Sequence, residues 1–203
     1  MSDAIIHLTG LVLALAAVPV LITLTTIWRG DAGAIAGVSI YGATLICMLG
    51  ASLAYNHTDR PDWTDRLRKI DMSAIYLKIA GTVTPFALLS GTGSTFLAAM
   101  WTAAVVATAT TFLRRRRSTA ISVAIGLGMG WAVLFAGGDV IASTSWPVFG
   151  LMIAGGLLYS LGTPFLMMER LRFHNAIWHA FVVVASTVFF IAITWHLVAT
   201  RVV

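Results

Sequence analysis

The sequence predicts an all-α membrane protein, a bundle of seven transmembrane helices with its N-terminus cytoplasmic and its C-terminus outside. Three observations carry this. Hydrophobic residues fill 59% of the 203 positions and charged residues only 10%, with a mean hydropathy of +0.90; a soluble domain carries roughly 25% charge. Seven apolar runs reach the length of about 20 residues that crosses a bilayer. The basic residues then gather on alternate connections, which fixes orientation by the positive-inside rule.

The runs span about 5–28, 34–55, 70–90, 95–113, 119–137, 147–168 and 176–199, and together they make residues 1–203 one seven-helix domain. The first is longer than a signal-peptide core, follows acidic Asp3 rather than a basic flank and lacks an A-x-A site, so it reads as a retained helix. "RGDAG" leads into the second, which holds Cys47, the one cysteine, so no intrachain disulfide can form. "NHTDRPDWTDRLRK" (Asn56 to Lys69) is the one long connection, before the third run. "SGTGS", "RRRRS" and "GGDVIASTS" separate the next three. Pro19, Pro85 and Pro164 fall inside runs and are expected to kink them; the last two could open space for a lipid chain, and packing alone explains them equally well.

The net charge is +5, but its placement says more than its size. Arg60, Arg66, Arg68 and Lys69, then Arg114 to Arg117, then Arg170 and Arg172 lie on one side, and only Arg29 and Arg201 on the other. Nucleic acid is not implied. The "RRRR" run reads as a topology anchor in preference to a lipid-headgroup site. "GLGMG" (Gly126 to Gly130) contains a G-x-x-x-G, which reads as a place where helices of one bundle approach closely.

Ionisable groups within spans are costly and mark function. Here they collect at the cytoplasmic helix ends: Asp3 and His7, Ser52 and Asn56, Asp71, then Asn175 and His179. Asp3/His7, Ser52/Asn56 and Asn175/His179 are each spaced i, i+4 and so share a helix face. Each has a plainer reading: Asp3 solvated near the terminus, Ser52 and Asn56 as interhelical hydrogen bonds, Asp71 as a helix cap. Convergence from four helices outweighs those readings. His196, at the other end, reads as interfacial. Lys78 lies seven residues beyond Asp71, about 10 Å deeper on the same face, where an unpaired cation costs on the order of 3 kcal/mol.

"DMSAIYLKIAGTVTPF" (Asp71 to Phe86), "GGLLYSLGTPF" (Gly155 to Phe165), "NAIWHAFVVVAS" (Asn175 to Ser186) and "ASLAYN" (Ala51 to Asn56) give the chain a resemblance, over nearly its whole length, to the bacterial hemolysin III family, within the progestin and adipoQ receptor group related to alkaline ceramidases. The resemblance implies a seven-helix bundle with three histidines holding zinc, a serine and an aspartate beside them, and a zinc-activated water that hydrolyses lipid amides. It places the serine at Ser52, the aspartate at Asp71 and the last histidine at His179. The other two ligand positions hold Asn56 and Asn175, and an amide is a poor zinc ligand. His57 and His174, each one residue away, are the available substitutes, although one residue turns a side chain by about 100°. Alternatively zinc is lost, and the Lys78 ammonium stands in for its charge beside Asp71.

Missing ligand histidines favour a non-catalytic role in membrane-lipid sensing or homeostasis, with membrane lipid or a fatty acyl chain as partner. The competing reading is a zinc-dependent hydrolase of a lipid amide or ester, in which Asp71 handles the water proton, Ser52 stabilises the oxyanion and His179 ligates the metal. A pore finds little support, because no span carries a continuous polar stripe. The oligomeric state is not legible.

Overall fold

The computed structural model describes residues 2–114 and 118–201, so Arg115 to Arg117 of the expected arginine anchor lie outside the described residues. Within them the chain is helical, with no strand. The helices are α1 (Ser2–Trp28), α2 (Ala32–His57), α3 (Pro61–Ser90), α4 (Ser94–Leu113), α5 (Thr119–Ala136), α6 (Gly138–Ala142), α7 (Trp146–Met167) and α8 (His174–Ala199). Among the described residues, seven of them, all but α6, are long and apolar enough to cross a membrane.

Two elements differ from the sequence reading. α3 starts at Pro61 rather than at residue 70, so most of the expected long connection is helix. Its first turns are polar and therefore invisible to a hydropathy pattern, but they carry helix signals: proline at the start, Asp62 in the first turn and an Asp65–Lys69 pair at i, i+4. Arg68 and Lys69 tie this extension to Thr119 at the start of α5 and to the Phe112 carbonyl at the end of α4. Within "GGDVIASTS" the chain makes α6, whose Val140 is fully buried. That valine presses on Gly93, where φ is +71°, so both the backbone conformation and the close approach call for glycine.

α3 is the centre of the bundle. It touches α2, α4, α5, α6 and α8, and it is buried on most sides from Asp71 to Leu89. α1 packs between α2 and α8, and α7 lies along α8. Exposed apolar side chains such as Val12, Val20, Val105 and Leu161 form the outer surface, as a lipid-facing surface requires. At the end opposite the basic loops, Arg29 donates to the carbonyls of Leu89 and Thr200, joining the ends of α1, α3 and α8. His196 is not interfacial. It is 1% exposed, 2.9 Å from Ser90 Oγ and packed on Phe86, because the ends of α3 and α8 meet there.

α5 is the loosest element, with only Met129 and Val133 buried. Its glycines do not bring helices together as expected. A Cβ at Gly126 would meet only Ile79, at 3.7 Å, and at Gly130 nothing within 4 Å; both instead line an internal cavity. Close approach occurs elsewhere, as at Gly155 of α7, where a Cβ would overlap the Phe189 ring of α8.

Candidate metal and lipid site

The start of α1, the end of α2, the tenth residue beyond the start of α3 and the start of α8 come together at the basic end of the bundle. Ser52, held on α2, lies between two imidazoles: its Oγ is 3.0 Å from His7 Nε2 and 3.3 Å from His179 Nε2. The His7 and His179 rings are 3.9 Å apart, centroid to centroid. Asp3 closes the far side, with Oδ1 2.7 Å from His179 Nδ1 and Oδ2 3.6 Å from His7 Nδ1. His7 Nδ1 also lies 3.0 Å from the Asp3 carbonyl oxygen, one helical turn back.

Asp3, His7 and His179 can each offer one ligating atom, all within 4.8 Å of one another. Two imidazoles and a carboxylate form a donor set that suits zinc and leaves a coordination position open. Asp3, for which solvation near the terminus was the plainer reading, is thus part of the cluster. Its signal was present in the i, i+4 spacing to His7, but its partner His179 is 176 residues away.

The two asparagines at the expected ligand positions bond to each other. Asn175 Nδ2 donates to Asn56 Oδ1 at 2.7 Å, and Asn56 Nδ2 donates to the Ser52 carbonyl at 2.9 Å. His57, the last residue of α2, reaches the edge of the cluster, with Nε2 3.6 Å from Asp3 Oδ2 and its ring 5.5 Å from that of His7. His174 is not in the triad; its Nδ1 is buried without a hydrogen-bond partner.

Asp71 is 7% exposed and lies against the Ser52 hydroxyl. Since α3 begins at Pro61, Asp71 is well inside the helix and caps nothing. Lys78 does not pair with it. The ammonium donates instead to the Tyr159 hydroxyl on α7, which is 2.7 Å from Ser186 Oγ on α8.

Ser52, Asp71 and His179 form the polar head of a cavity that runs inward between α3, α5, α7 and α8. Its walls are otherwise mostly apolar, with Ile79, Val83, Phe86, Leu134 and Met152 deeper in.

A family model described as haemolysin-III related matches residues 1–190. A hemolysin-3 homolog of Bacillus subtilis (strain 168) is 34% identical over 200 residues, covering 97% of this chain and 93% of that protein. A hemolysin-3 of Bacillus cereus is 32% identical over 202 residues, covering 98% of this chain and 92% of that protein.

Proposed function

The chain belongs to the haemolysin-III related family of bacterial multi-pass membrane proteins, and from that premise we propose that it is a metal-dependent hydrolase of a lipid amide or ester. One observation carries this reading. His179 of the Asp3, His7 and His179 triad, together with Ser52 and Asp71, lines the head of a mostly apolar cavity that suits an acyl chain. Helix α1 supplies two donors, so the asparagines at positions 56 and 175 do not leave the site without ligands.

Zinc on such a set supplies Lewis acidity and lowers the pKa of a water to roughly 7. The chain's own residues do the rest. The cavity holds the acyl chain and excludes bulk water from its end. Asp71, buried beside Ser52, takes the proton of the water that adds to the carbonyl carbon. The same proton passes to the nitrogen or oxygen that leaves when the C–N or C–O bond breaks. The Ser52 hydroxyl donates to the carbonyl oxygen as charge develops there. Asp3 keeps the His179 ring fixed. The distribution of basic residues supports a cytoplasmic location for this chemistry.

The Asn175–Asn56 hydrogen bond favours a second reading, in which the cluster is structural and the protein senses membrane lipid without turnover. Zinc per chain and release of fatty acid from a fluorescent N-acyl sphingoid base separate the two. The hydrolase reading expects about one zinc, lost in His179→Ala and in His7→Ala, and turnover lowered at least about a hundredfold in Asp71→Asn. A metal-free protein with no turnover after zinc is added sinks it in favour of sensing.

A further inference from the structure

Lys78 is the group in the cavity that this chemistry does not use. It stands about 10 Å along α3 from Asp71, is 3% exposed, and its side chain lines the cavity wall. Its ammonium has three donors, and among the described residues the one acceptor bonded to it is the Tyr159 hydroxyl. The Tyr159 and Phe189 rings lie 4.3 and 5.3 Å from it, centroid to nitrogen. Aromatic faces and a phenol spread a positive charge without neutralising it. Among the described residues, no carboxylate lies within ion-pair distance. A leucine would fill this place without the roughly 3 kcal/mol that a cation costs in mid-membrane.

We propose that the same cavity also takes a long-chain carboxylate with its head on Lys78 rather than on the Asp3, His7 and His179 cluster, so that it shares the apolar walls with an acyl substrate. The carboxylate supplies the missing negative charge and takes the two unused ammonium donors. The Tyr159 hydroxyl, shared at present with Ser186, is close enough to contribute a further hydrogen bond. The chain runs along Val83, Phe86 and Met152. A phosphate head fits poorly, because Lys78 is the only lysine or arginine among the described lining residues, and a dianion would stay half neutralised. An uncharged alcohol or ester leaves the ammonium as it is.

The test is binding of radiolabelled palmitate and of its methyl ester to detergent-purified protein, with and without prior chelation of metal. Palmitate is expected to bind at least about tenfold more tightly than the ester, since a charge-assisted hydrogen bond contributes about that much. The preference should persist after chelation, vanish in Lys78→Met and survive in Lys78→Arg. Equal affinity for acid and ester in the wild type overturns the proposal, and so does a lack of palmitate binding; neither result needs a variant to fold. A preference that chelation abolishes and Lys78→Met leaves intact would seat the carboxylate on the metal cluster, and it also overturns the proposal. The chelated arm does not depend on hydrolysis, so a failure of the proposed activity leaves this result readable.

Discussion

Ser52 Oγ touches two histidines from helices at opposite ends of the chain, and the rest of the cluster follows from that hydroxyl. His7 and His179 have no reason to bring their rings within 3.9 Å unless something accepts or shares their nitrogens; Asp3 and Ser52 do so in the structure. Replacing Asp3 with alanine removes a donor of the triad as well as the carboxylate on His179 Nδ1, and we expect zinc affinity to fall by more than the roughly 100-fold that an outer-shell partner contributes, read by competition with a chromophoric chelator. Asn56→His with Asn175→His restores imidazoles at both family positions while breaking the Asn175–Asn56 bond. That double variant is expected to bind zinc more tightly than the wild type in the same assay. Asp3 was within reach of sequence reasoning, since its i, i+4 partner His7 was in view. Its role was not, because an aspartate three residues from a terminus looks the same whether it is solvated or buried against another helix.

At the scale of elements, the helix ends carry specific devices. Asp31 caps α2 by accepting from the Ala34 N–H, and that hydrogen bond, helped by Arg29, holds its carboxyl below the ordinary 3.8. A lowered folded value means that the carboxylate's contribution is complete above the ordinary value and is lost as pH falls through the lowered one. The melting temperature of Asp31→Asn should therefore lie below that of the wild type at neutral pH, and the gap should close in acid well below pH 4. Arg29→Ala frees the Leu89 and Thr200 carbonyls at once, and a loss of about 2 kcal/mol is expected in detergent unfolding. Gly155→Val drives a side chain into Phe189 and should separate α7 from α8, with a loss of about 1–3 kcal/mol. The polar first turns of α3 show why its start was misplaced: a helix that leaves the membrane loses its hydropathy signal but keeps its caps and its i, i+4 pairs.

For the whole molecule, the cavity follows from how loosely α5 joins the bundle. Filling it from that side with Gly130→Leu puts a side chain where nothing lies within 4 Å, so the fold should keep its melting temperature to within a few degrees while palmitate binding and turnover fall together. Seven spans, the end at which polar groups gather and the family were legible without coordinates. Each rests on local properties: apolar length, the placement of arginines and lysines, and short motifs within single helices. The helices' mutual arrangement decided what those motifs do. It brought Asp3 to His179, paired Asn56 with Asn175 and gave Lys78 to Tyr159 rather than to Asp71. Metal ligation and ion pairing depend on separations of about 2–4 Å between atoms on different helices. A sequence fixes the face on which a side chain stands, but only packing around α3 sets which faces meet and at what depth.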